Sequence, residues 1–312
     1  MTGLCARFLS IAGAALILLF YSELFFLNEG PTKTVTALVN HPDIAAVELL
    51  ELAAYYAFFA WGLLLIIPYA ERFGLAGIVL AGCLFGWVTE GTVIAIVHEA
   101  PPVSWVWPSV SWHALIDVLL GLFVVRIAMR RRGGAALAVL FSAMGVGWGL
   151  WATWTWGDPE LHRLTPFEFV FFTSISGAIW LAGMILLDRG GPWSVLRAEK
   201  WGIGVGTVAL ALLMAVPGLP FSAGILLIAG ATLWVLIRKS EAQSTEGWRL
   251  PYGPLPLSTY SVALLAPTAA GLTYWLLWTN GWHVPTEDVA GMAMIVGALV
   301  YFWSVWRVFT SR

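Results

Sequence analysis

Residues 110–132 read VSWHALIDVLLGLFVVRIAMRRR, and this stretch decides the fold. At about 1.5 Å per residue, a helix of this length crosses the roughly 30 Å of a bilayer's hydrocarbon core. One end carries His113 and Asp117, and the other carries Arg126, Arg130, Arg131 and Arg132. An apolar middle with arginines gathered at one end is the mark of a transmembrane helix whose basic end stays in the cytoplasm.

The pattern recurs along the chain. Apolar runs long enough to span lie at about residues 8–28, 44–70, 73–97, 110–129, 135–156, 166–187, 201–217, 220–237, 257–279 and 287–308. The expected fold is therefore all-α, a polytopic transmembrane bundle of about ten spans. The seventh and eighth runs are parted only by Val216-Pro217-Gly218-Leu219-Pro220, a break that would also suit a re-entrant pair. Placing both termini in the cytoplasm puts 14 of the 16 Lys and Arg on that side, leaving Lys33 and Arg163 outside. The first run carries Glu23 and no small-residue cleavage site, so it reads as a retained helix and not a signal peptide.

Composition sets the same limits. The 312 residues are 60% hydrophobic and 11% charged, with a mean hydropathy of +0.83, too little polar surface for an aqueous globule. A net charge of -2, without a basic cluster interleaved with aromatics, excludes a nucleic-acid partner. Cys5 and Cys83 form neither a disulfide framework nor a metal knuckle. The expected location is a bacterial cytoplasmic (inner) membrane, with membrane lipid as the surrounding partner.

Arg130-Arg131-Arg132-Gly133-Gly134 divides a four-span unit, 1–132, from a six-span unit, 133–312, within one integrated membrane domain. Spans one to four carry signs of a tandem helical hairpin. Offsets of 66 or 67 relate Glu23 to Glu90, Pro42 to Pro108 and Glu51 to Asp117.

Ionisable side chains inside hydrocarbon are costly and mark cavities, partners or pathways. Glu23, Glu48, Glu51, Glu90 and Asp117 come from four successive helices and lie towards the outer side. His113 and Asp117 share a helix face by their four-residue spacing, as do Glu48 and Glu51 by their three-residue spacing. Carboxylates with an imidazole suit a divalent metal such as zinc, iron or manganese, with Glu90, His113 and Asp117 as ligands. Glu51, Glu90 and Asp117 are the candidate catalytic carboxylates. His41, His98, His162 and His283 fall in or beside outer loops, where a solvated histidine is the plainer reading.

Nineteen tryptophans exceed what an interfacial belt requires, and many fall near the outer side. The densest stretch is Gly147-Trp148-Gly149-Leu150-Trp151-Ala152-Thr153-Trp154-Thr155-Trp156-Gly157-Asp158-Pro159-Glu160. It resembles the WWD segment of the haem-handling proteins of cytochrome c maturation, departing where Gly157 separates Trp156 from Asp158. That resemblance implies haem resting on Trp151, Trp154 and Trp156, with His98 or His113 on one side and His283 on the other as iron ligands.

Three functions stay open. The leading one is a metal-dependent membrane enzyme acting on a lipidic or hydrophobic small molecule from the outer leaflet, with the metal activating water and a glutamate as base. The others are a proton- or cation-coupled transporter and a haem-binding protein. No mid-span lysine offers a retinal Schiff base, and Gly202, Gly204 and Gly206 lie in a span with no strand before them, which excludes a dinucleotide site.

Overall fold

The computed structural model describes residues 3–92, 95–157, 161–193, 195–240 and 248–311, and among these there are helices and no strand. Asp158 and Glu160 of the tryptophan-rich segment lie outside the described residues. The chain begins with α1 (Gly3–Leu19), continued by a π-helical turn π1 (Phe20–Leu24), then α2 (Glu29–Ala37), α3 (Pro42–Ala70), α4 (Gly74–Thr92) and α5 (Val103–Val106). A long π-helical segment π2 (Ser109–Val125) runs on into α6 (Arg126–Arg131). There follow α7 (Gly134–Trp151), α8 (Pro166–Arg189), α9 (Arg197–Ala215), α10 (Phe221–Ser240), α11 (Leu257–Val262), α12 (Leu265–Asn280) and α13 (Thr286–Thr310).

Among the described residues, nine helical stretches are long and apolar enough to cross a membrane, which is consistent with an integral membrane protein. One of them, Pro42–Thr92, is 51 residues long. Gly74 breaks it at φ +58°, a conformation that glycine adopts without steric cost, so α3 and α4 are separate helices packed on each other. The break at 216–220 is a short turn between two full helices, α9 and α10. Pro42 and Pro166 open α3 and α8, and Thr165 with Glu168 closes a capping box on α8. The helix α2 falls where the hydropathy pattern predicts a loop, because its EGPTKTVTA sequence is polar.

Helices in lipid gain little from burying apolar side chains, so their contacts depend on close backbone approach. Gly13 lies against the Leu187 backbone, which joins α1 to α8. Gly145 and Gly149 lie against Ala266 and Ala270, joining α7 to α12. Gly147, between them in sequence, has open space around it. Gly82 and Gly86 bring α4 onto π2: a Cβ at Gly86 would sit 2.1 Å from the Ser109 carbonyl oxygen, and one at Gly82 2.7 Å from the Ala114 Cα.

Burial is graded across the bundle. The most apolar window of Val103–Arg131 is 61% buried and that of Arg197–Gly218 only 6%. The stretch that carries His113, Asp117 and Arg126 is therefore the most enclosed of the nine, which suits groups whose charge must be met by neighbours and not by lipid.

Candidate functional site

The two π-helical segments among the described residues face each other, and between them they hold most of the buried ionisable groups at the tryptophan-rich end. In π1 the Phe25 N–H reaches back to the Phe20 carbonyl at 2.6 Å, and just beyond it the Asn28 N–H reaches the Glu23 carbonyl at 2.9 Å. In π2 the His113 N–H reaches the Pro108 carbonyl at 3.2 Å. Such five-residue turns are rare and gather at functional sites. The indole N–H of Trp112 donates to the Tyr21 carbonyl at 2.9 Å and ties the two segments together.

His113 is the centre. Its Nε2 lies 2.6 Å from Glu90 Oε1, and its Nδ1 lies 2.6 Å from Asp117 Oδ2 and 3.1 Å from Ser22 Oγ. Glu90 reaches it because Gly82, Gly86 and Glu90, each four residues apart, form one stripe of α4, and the glycines let that stripe touch π2. Beyond Ser22 the chain of polar atoms continues. Tyr56 of α3 places its hydroxyl 2.6 Å from Ser22 Oγ and 2.6 Å from Glu23 Oε1, and Asn28 Nδ2 donates to Glu23 Oε2 at 2.6 Å.

The cluster is closed to solvent: Asp117 is fully buried, His113 3% exposed, and Glu23 and Glu90 7% each. Two contacts of 2.6 Å hold two protons among Glu90, His113 and Asp117. Even with the imidazolium formed, Glu23, Glu90 and Asp117 outnumber it three to one. Glu90 Oε2 and Asp117 Oδ1 find no partner among the described residues, which leaves acceptor capacity for a further proton or cation.

Several expected members are elsewhere. Glu51 is exposed on α3, and Glu48 is exposed and accepts from Thr34 at 2.8 Å. Of the paired positions in the expected hairpin repeat, Glu23 and Glu90 both join the cluster, whereas Asp117 joins it and Glu51 does not. His41 and His283 are exposed, and His162 lies 3.5 Å from Glu168 at the surface. Ser22, Tyr56 and Asn28 are members that the sequence did not single out, although Ser22 adjoins Glu23.

The expected metal centre does not fit these distances. A metal ion sits about 2.0–2.2 Å from its nitrogen and oxygen ligands, whereas 2.6 Å between nitrogen and oxygen is a direct hydrogen bond. Glu90 and Asp117 also meet opposite nitrogens of the ring, so the three cannot close on one ion. Among the described residues no group of three His, Cys, Asp or Glu side chains forms a metal site.

The tryptophans expected to carry haem are packed against protein. Trp151 and Trp154 both donate to the Phe26 carbonyl at 2.9 Å, and Trp156 donates to the Tyr274 hydroxyl at 2.8 Å. Trp151 also lies 5.0 Å from Trp112, and Arg163 lies 3.8 Å from the Trp156 ring centre. The cavity beside Trp154 measures about 30 Å³, room for a water or two and not for a macrocycle. Comparison with family models, with characterised proteins and with solved structures finds no match for this chain.

Proposed function

We propose that this is an integral membrane protein of ten spans with both termini in the cytoplasm, and that the His113 cluster is the proton-binding site of a proton-coupled transporter. The supporting observation is the unbroken polar chain from Glu90 through His113, Ser22 and Tyr56 to Glu23. Tyr56 has one phenolic proton and two acceptors at equal distance, so it can serve Ser22 or Glu23 but not both. The two choices define two states of the chain. In one hop the Nδ1 proton of His113 passes to Ser22, the Ser22 proton to Tyr56 and the Tyr56 proton to Glu23 Oε1. One proton leaves the imidazole, one arrives on the carboxylate, and both hydroxyls end as they began.

Intramembrane carboxylate–histidine chains of this kind are the parts from which proton relays are built. On this reading the cluster exchanges protons with the outer side of the bacterial cytoplasmic membrane through Glu23, whose carboxylate Asn28 holds in place.

The test is a proteoliposome carrying an internal pH dye, given an imposed proton gradient and a panel of amino acids, sugars, nucleosides and organic ions. The expected result is proton entry that depends on one of those solutes and is lost in His113→Gln. Solute-independent traces across the whole panel, identical in wild type and His113→Gln, would overturn the transporter reading.

A further inference from the structure

At the opposite, arginine-rich end of the bundle, the junction of π2 with α6 and residues 248–251 border a half-open cavity of about 690 Å³. Arg130, Arg131, Arg132 and Arg249 line it, its apolar wall includes Ile127, Ala128 and Trp248, and its described lining residues include no carboxylate. Its size is that of a ligand pocket, roughly 300–1,000 Å³.

Among the described residues, two carboxylates beside it are already engaged. Asp188 accepts from Arg126, from Arg130 at 2.5 Å and from the Tyr260 hydroxyl at 2.6 Å. Glu71 accepts the Leu250 N–H at 2.5 Å. Against these two negative charges stand Arg126, Arg130, Arg131, Arg132 and Arg249. Arg126 is 1% exposed and gives one nitrogen to Asp188 and, at 2.5 Å, to the carbonyl of Pro251, itself a lining residue. Its Nε and Nη1 are buried with no partner among the described residues.

A basic rim alone would follow from the positive-inside rule, which needs charges near the membrane surface and nothing more. That rule explains neither a cavity nor the burial of Arg126, which shares the single carboxylate of Asp188 with Arg130. Guanidinium groups match phosphate oxygens bidentately, and an apolar wall beside them suits acyl chains. Basic pockets beside membrane helices bind anionic lipid head groups on this logic.

We propose that this cavity is a binding site for the phosphate head of an anionic phospholipid, held by Arg131, Arg132 and Arg249 with its chains along Ile127, Ala128 and Trp248. Arg126 and Arg130 supply the fixed positive field beneath it. The inference is independent of the proton-site reading.

The full-length protein, delipidated in detergent, is titrated with dioleoyl-phosphatidylglycerol, with dioleoyl-phosphatidylcholine and with inorganic phosphate, and bound adducts are counted by native mass spectrometry. The expected result is saturable phosphatidylglycerol binding, at least tenfold weaker for phosphatidylcholine and for phosphate, and at least tenfold weaker in an Arg131→Gln, Arg132→Gln, Arg249→Gln triple variant. These three side chains are exposed, so their loss leaves the core packing in place. Ala128→Trp, which fills the wall and keeps every arginine, is expected to weaken binding similarly. Equal binding of both lipids, or of phosphatidylglycerol by wild type and both variants, would overturn the site. Phosphate binding as tightly as phosphatidylglycerol would overturn the lipid assignment in favour of the free anion.

Discussion

Two clusters of buried charge occupy the two ends of one rod, π2 and α6, and their compositions are inverted. At the tryptophan-rich end His113 lies among Glu23, Glu90 and Asp117, whereas at the other end Asp188 lies between Arg126 and Arg130. Imidazole and carboxyl groups exchange protons in the neutral to acidic range, and guanidinium does not. The first cluster can therefore change its charge by taking up or losing a proton; the second keeps its charge and must be compensated by neighbours. The same burial penalty has been met by a responsive arrangement at one end and a fixed one at the other.

The fixed end gives the largest predicted effect. Asp188→Ala leaves the buried Arg126 and the half-buried Arg130 without their carboxylate and is expected to cost about 3–5 kcal/mol, read as the loss of folded protein in thermal unfolding in detergent. Unfolding like that of wild type would break the comparison, because Asp188 would then not be what compensates the arginines. Gly86→Leu comes next. Its side chain must displace the Ser109 backbone, so α4 and π2 separate at a cost of about 3 kcal/mol. Glu90 then loses His113, and gradient-driven uptake is expected to vanish even in the fraction that stays folded.

Within the responsive cluster the effects shift from stability to activity. His113→Gln removes two charge-assisted contacts, an expected loss of about 2 kcal/mol, and abolishes solute-dependent proton entry. Tyr56→Phe keeps the ring and deletes the hydroxyl that joins Ser22 to Glu23. It is expected to cost only about 1 kcal/mol and to slow uptake about tenfold, the rate equivalent of one lost hydrogen bond. Full uptake by Tyr56→Phe, measured in the same proteoliposomes, would separate Glu23 from the relay and shorten the cluster to His113 and its two carboxylates.

The helices were legible because each apolar run has the length of a span and ends in a proline, a glycine or a charge. Glu90, His113 and Asp117 were legible because ionisable residues stand out against an apolar run. Ser22 and Tyr56 were not, since neutral hydroxyls are ordinary in such helices and only packing shows which of them bridge charges. Asp188 sits beside Arg189 at a span end and reads as an interfacial charge, until the fold brings Arg126 and Arg130 to it. For the metal expectation direction matters: sequence spacing places Asp117 one turn from His113, but it does not say that Glu90 will take the opposite ring nitrogen.

Glu51 shows the same limit and gives the smallest prediction. Its spacing from Glu48 establishes that the two share a face of α3, without saying where that face points. Tyr56 decides it. Five residues turn a helix by about 500°, which leaves Glu51 roughly 140° around the axis from Tyr56. With Tyr56 4% exposed and turned to Ser22 and Glu23, Glu51 has to face outward, and it is exposed. Glu51→Gln is therefore expected to change stability by less than about 0.5 kcal/mol and to leave uptake unaltered. Loss of uptake in this variant would mean that the responsive chemistry extends to the exposed face of α3, and that the contrast between the two ends of the rod does not contain the whole site.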